Sequence, residues 1–152
     1  MSVIIEGRGD EIVIELDNLH SSGIEEVDSQ HREMNKLFRR LKILQEKGSP
    51  KELVLRILKE GMKYVEYHFA SEENLMLVIK YPELGHHELE HEKLLRSLKY
   101  KLKAYQDDLE SLASIMSFLT NWFLSHTQEE DTKIGVYLKS QSQMASEPKE
   151  NG

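Results

Sequence analysis

The sequence predicts an all-α fold: an antiparallel up-down four-helix bundle with an N-terminal arm and a short C-terminal helix or tail. Three observations predict it. Apolar residues recur at three- and four-residue steps over four separate stretches, the signature of helices with one buried face. The stretches are joined by short corners, which favours antiparallel neighbours. The three prolines all fall outside them.

The elements follow in order. Residues 1–20 read as an arm, extended or a short hairpin, because Val3-Ile4-Ile5 and Ile12-Val13-Ile14 flank Gly7-Arg8-Gly9-Asp10. Turn chemistry explains those glycines better than the protease-site and adhesion look-alikes Ile5–Arg8 and Arg8–Asp10. The bundle is expected over 21–139. Asp28 is a good cap for a first helix carrying Met34, Leu37, Phe38, Leu41 and Leu44, closed by Lys47-Gly48. Ser49-Pro50-Lys51-Glu52 reads as a capping box opening a second helix, through Leu58, Val65, Phe69 and Met76 to the stop at Tyr81-Pro82. A third helix is expected from Glu83 or His86 to Gln106. Asp107-Asp108 is expected to cap a fourth, through Leu112, Ile115, Leu119, Trp122 and Phe123. Gly135 is a weak spot before Val136-Tyr137-Leu138, and the polar residues 140–152 read as a disordered tail.

At 152 residues the chain is one domain's worth, 39% apolar and 31% charged. No apolar run approaches the roughly 18 residues of a membrane span. The first residues lack the basic-then-apolar layout of a leader, so a cytoplasmic location is expected. The formal charge of −7 argues against nucleic-acid and anionic-membrane partners. With no cysteine, disulfides, thiolate metal sites and cysteine catalysis are excluded together. Any chemistry must run on nitrogen and oxygen ligands.

Seven histidines supply the candidates. His68 and Glu72 are four apart on the second helix, as are His87 and His91 on the third. His126 lies on the fourth with Glu130 four on and Asp131 five on; His31 is in the first turn of the first helix. An i,i+4 pair of imidazole or carboxylate groups leans one way over one turn and forms a ready chelate. His20 and His86 are read as surface or satisfied histidines, Glu88, Glu90 and Glu92 as a solvated face, and Met62, Met76 and Met116 as core fillers. Coincidence is a poor account of the rest, because several unpaired buried imidazoles and carboxylates cost several kcal/mol.

Spacing alone leaves two metal readings. His87-Glu88-Leu89-Glu90-His91 matches the zinc-protease pattern H-E-x-x-H, but gives His31, His68, Glu72 and Asp131 no task. A two-metal site in the bundle centre uses them. It departs from the usual carboxylate di-iron signature, since Phe123 stands where a second E-x-x-H needs its glutamate.

The strings Gly23–His31, His68–Met76, Tyr81-Pro82 with His87–His91, and Trp122 with His126 and Asp131 resemble bacterial hemerythrin over about residues 23–138. The resemblance implies a non-haem pair of iron ions joined by an oxo or hydroxo bridge. It places His87, His91 and His126 on one iron, His31 and His68 on the other, and Glu72 and Asp131 across both. One iron is then full and the other has a vacancy for dioxygen. The implied activity is reversible oxygen binding for storage, transport or sensing, not enzymatic turnover. A di-iron peroxidase or a nitric-oxide or iron-stress protein is the alternative, a zinc peptidase a distant one. Asn35, Phe69, Trp122 and Thr127 are the candidate oxygen pocket. Asn35 and Thr127 stand where the family often has bulky apolar residues, which raises the expectation of a wetter pocket. Bridging through Asp131 also demands a local departure from the α-helix, because a five-residue step does not stack; a π-turn between His126 and Asp131 is expected.

Overall fold

A computed structural model of the chain describes residues 22–146. Helix α1 runs Glu25–Glu46, α2 Lys51–Val78, α3 Leu84–Gln106 and α4 Leu112–His126. A π-turn, Thr127–Asp131, joins α4 to a continuing helix α5, Thr132–Ser146. Among the described residues there is no strand, and no helix is long and apolar enough to cross a membrane. Successive helices α1 to α4 pack on one another through short corners, giving the four-helix architecture. The expected N-terminal arm lies outside the described residues, as does the expected tail beyond Ser146.

Three helix boundaries differ from expectation, each for a local reason. Asp28 does not cap α1; its own N–H already bonds to Ile24 O at 3.0 Å. Its carboxylate instead reaches back to the N–H and hydroxyl of Ser22 (3.0 and 2.7 Å), while Ser22 Oγ accepts from Ile24 N–H. The helix therefore starts four residues earlier, with Ile24 at the cap position. Pro50, rather than Ser49, is the cap of α2, without a side-chain hydrogen bond, so the expected capping box does not form. Asp107 and Asp108 close α3 instead of opening α4: Asp108 is left-handed (φ 61°) and Leu109 N–H returns to Ala104 O, a turn Asp tolerates. Ser111 caps α4 through Ser114 N–H at 3.1 Å.

The tail expected from Ser140 is also revised, for α5 continues through Ser146. Polarity did not prevent helix formation there, because no breaker intervenes before Pro148. Gly135 does not weaken the helix either. A Cβ at this position would lie 1.7 Å from the carbonyl oxygen of Ser22, so glycine is what lets the entering chain cross α5.

The core comes in three layers. Leu41, Val54, Leu58, Leu98, Leu102, Ile115 and Met116 fill one end. Met34, Phe38 and Phe123 form a middle layer. Ile24, Val27, Met76, Tyr81 and Ile134 close the other end. Met76 and Met116 are buried as core fillers. Burying one such side chain contributes about 1.5–3 kcal/mol. Those layers fix the helices whose inward faces carry the polar groups described next.

Candidate metal centre

Four elements each deliver inward-facing donors to one level of the bundle: α1 His31, α2 His68 and Glu72, α3 His87 and His91, and the α4/π-turn junction His126 and Asp131. None of the seven is more than 6% exposed. His86 and Glu88, beside His87 in sequence, are exposed on the outer face.

The donor atoms form two adjoining groups. In one, His126 Nε2 lies 3.2 Å from both His87 Nε2 and His91 Nε2. Glu72 Oε1 is 2.7 Å from His87 Nε2, and Asp131 Oδ1 is 3.2 Å from His126 Nε2. In the other, Glu72 Oε2 is 3.2 Å from His68 Nε2 and Asp131 Oδ2 is 3.0 Å from His31 Nε2. Each carboxylate thus turns one oxygen to each group. The first group has five donors and the second four.

These atoms are too close to be indifferent to one another, yet both oxygens of Glu72, both of Asp131 and His31 Nε2 meet no hydrogen-bonding geometry. Orphaned buried polar atoms are costly. Two ligand atoms each about 2.1 Å from one ion and at right angles to each other lie about 3.0 Å apart. The spacings above cluster around that value, so the donor set fits two cations: Glu72 belongs to both groups, and Asp131 joins the first through Oδ1, 3.2 Å from His126 Nε2. Nitrogen and carboxylate donors without sulfur suit a first-row transition metal.

Without a metal, the charges compensate one another. Burial opposes ionisation of Glu72, but the facing imidazoles of His126, His68, His87 and His91 prevail and hold it well below the usual carboxylate range. Asp131 is similarly brought down to about 2 by His126, His31 and His87, against burial and the neighbouring Glu72. The two carboxylates in turn raise His87 to about 9 and His126 to about 10, overcoming the opposite effect of burial.

The π-turn places Asp131 inside. It lies five positions after His126, and the extra residue of the π-turn brings both to the same face. Glu130, the better α-helical partner of His126, is carried behind His87 instead, its Oε2 3.9 Å from His87 Nδ1.

Aromatic rings wall the site. Phe69 stacks on His91 (3.7 Å, 3°) and Trp122 on His126 (4.4 Å, 15°). Phe123, which sequence reasoning assigned only to the core, packs edge-to-face with His31, their ring centroids 5.1 Å apart. Phe69 and Trp122 therefore stand chiefly against the three-histidine group. Asn35 and Thr127 are both buried, and Thr127 Oγ1 finds no partner among the described residues. An outer ring also went unread: Gln30 Oε1 lies 2.6 Å from His68 Nδ1 and Glu73 Oε1 3.3 Å from His91 Nδ1. Their signal is positional, since each sits one residue from a ligand candidate.

The hemerythrin HHE cation binding domain model matches residues 22–138. The chain belongs to the hemerythrin family. Its hemerythrin relatives include the bacteriohemerythrin of Clostridium acetobutylicum, 28% identical over 116 residues that cover 72% of this chain and 88% of the relative. That of Campylobacter jejuni is 26% identical over 115 residues, 74% of this chain and 86% of the relative. That of Stenotrophomonas maltophilia is 26% identical over 132 residues, 86% and 85%. No solved structure matches. The hemerythrin match spans all seven donors, and α1 to α4 together with the start of α5.

Proposed function

We propose that this chain holds two iron ions and binds dioxygen reversibly between its helices. The observation that carries the reading is the unequal pair of donor groups straddled by two carboxylates. His87, His91 and His126 with one oxygen from each carboxylate would hold one ion; His31 and His68 with the other two oxygens would hold its neighbour. When bound, the iron pair would supply two electrons, and the group with fewer donors would be the side able to take a further ligand. An open position is what distinguishes a reactive metal site from a structural one.

The protein's own residues supply orientation and dryness. Glu72 and Asp131 would hold the two ions side by side, and stacked Phe69 and Trp122 fix the orientation of the His91 and His126 imidazoles. An apolar cavity of about 50 Å³, lined by Met34, Phe38, Trp122 and Phe123 among others, adjoins the rings that wall the site. It is partly open and lined almost wholly by apolar groups, and so offers an apolar diatomic ligand a place beside the site.

The competing readings find less support. A zinc peptidase needs Glu88 as base beside His87 and His91, and Glu88 is exposed on the opposite face. A di-iron peroxidase or nitric-oxide protein shares the donor set and differs in turnover. The test is anaerobic loading with ferrous iron, metal analysis, then absorption spectra through cycles of air and argon. Two irons per chain and a visible band that comes and goes with oxygen support the proposal. One metal per chain, or oxidation that argon does not reverse, overturns it.

A further inference from the structure

Behind the metal-facing nitrogens runs a second set of contacts, and it is not the same for the two donor groups. His91 Nδ1 faces the carboxylate of Glu73 at 3.3 Å, and His87 Nδ1 faces that of Glu130 at 3.9 Å. The three-histidine group is thus backed by negative charge. His68, in the two-histidine group, is backed by a neutral amide: Gln30 Oε1 lies 2.6 Å from its Nδ1. Gln30 is 7% exposed and His68 1%.

The polarity of that contact is determined by the groups beyond it. Gln30 Nε2 donates to Ser71 Oγ at 3.0 Å, and Ser71 Oγ donates to Glu26 Oε1 at 3.1 Å at the surface. A carboxylate can only accept, so the serine hydrogen points outward and its oxygen accepts from the amide NH₂. The amide oxygen is then turned to His68, which must carry its proton on Nδ1 and leave Nε2 free. Three residues and two helices agree on one tautomer.

From this geometry we infer that Gln30 is a positioning residue for one metal only. It fixes His68 as an Nε2 donor and keeps that donor less electron-rich than a carboxylate partner would, while Ser71 and Glu26 hold the amide the right way round. Outer contacts of this kind raise ligand basicity and typically govern metal affinity by 10–100-fold. The arrangement rests on the two-metal reading above but not on oxygen binding. It gives the four-donor side a weaker push than the five-donor side, so the two ions differ in affinity and in how readily they are oxidised.

The test is stepwise titration of the full-length, metal-free protein with cobalt(II) against a competing chelator, which requires neither iron nor oxygen. For Gln30→Leu we expect one of the two equivalents to loosen about tenfold while the other is unchanged. Gln30→Glu is expected to tighten that same equivalent by a similar factor, and Ser71→Ala to loosen it by less than Gln30→Leu. In the iron-loaded protein the midpoint potential should shift in opposite directions for the Leu and Glu variants. A packing role alone would make both substitutions weaken binding. Loss of both equivalents together, the same sign of change in the Leu and Glu variants, or an unaltered titration for all three variants overturns the assignment. If Gln30→Leu fails to fold, Ser71→Ala and Gln30→Glu still decide the sign. Failure of the iron proposal would appear separately, as a chain that takes up two cobalt ions but shows no reversible oxygen band.

Discussion

Glu130 and Asp131 are adjacent in the chain yet address opposite nitrogens of His87: Asp131 Oδ1 lies 3.6 Å from Nε2, and Glu130 Oε2 3.9 Å from Nδ1. The π-turn underlies this arrangement, because its five-residue repeat brings Asp131 to the face of His126 and leaves Glu130, the regular-helix partner, behind His87. The two acids should therefore fail differently. Asp131→Ala removes oxygens from both donor groups, and we expect it to abolish the binding of at least one metal equivalent. Glu130→Gln keeps the stoichiometry at two and weakens affinity about tenfold, the scale of an outer contact. Metal analysis with a chelator competition distinguishes them; equal losses would mean that Glu130 is itself a ligand.

That junction also marks how far the residues could be read unaided. Periodicity sufficed for the four helices, since Met34, Phe38, Leu41 and their counterparts must share a face to be buried at all. The π-turn is not legible from spacing, which favours Glu130 as the partner of His126. It follows from the hemerythrin resemblance, which bridges through Asp131 and so demands a five-residue step that a regular helix does not stack. Caps were less legible: Asp28, Ser49 and Asp108 all have capping chemistry, and which one acts depends on partners such as Ser22 that only the folded chain brings near. Gln30, Ser71 and Glu73 were missed because a polar residue beside a ligand looks the same in sequence whether it faces solvent or an imidazole. Residues 140–146 continue the helix because the segment contains no breaker, and polarity by itself does not distinguish a solvated helix from a disordered tail.

Thr127 buries a hydroxyl that finds no partner among the described residues, directly after His126. Thr127→Val keeps the shape and removes the unsatisfied group, whose burial costs about 1–3 kcal/mol. We expect the melting temperature to rise by about 2–4 °C for each kcal/mol recovered. If the hydroxyl also admits water to the site, Thr127→Ile lengthens the lifetime of the oxygenated form, measured as the decay of its visible band. An unchanged lifetime removes Thr127 from the pocket.

Gly61 and Gly135 lie in helix interiors, and the same substitution should act on them with opposite sign. A Cβ at Gly61 would meet only Leu37 Cδ1, at 4.0 Å, an ordinary contact. Gly61→Ala should stabilise the fold by about 0.5–1 kcal/mol, the usual gain in a helix. At Gly135 the added carbon would lie 1.7 Å from Ser22 O and 2.9 Å from Ser22 C. The backbone of the entering chain must move, and we expect a net loss of about 1–3 kcal/mol, as for overpacking generally. Urea unfolding of the two variants side by side is sufficient. A stabilised Gly135→Ala would show that the Ser22 crossing is not maintained in solution.

Tyr81 connects the end of the bundle to alkaline stability. Its hydroxyl is pushed up to about 12 by burial first and by the charges of Glu83, Glu130 and Asp131 after it; in the unfolded chain it returns to about 10. A raised value means that the folded state favours the protonated phenol. The associated stability is complete below about pH 10 and is lost as pH rises through about 12. Tyr81→Phe has no proton to lose, keeps the ring against Tyr137 (5.3 Å between centroids), and gives up only a long contact to Glu83 at 3.4 Å. We expect the variant to match the parent protein near pH 8 to within about 1 kcal/mol, the net worth of such a hydrogen bond, and to fall less steeply between pH 10 and 12. Denaturant midpoints measured across that interval check it, and parallel curves for the two proteins would show that the Tyr81 phenol is no harder to ionise folded than unfolded.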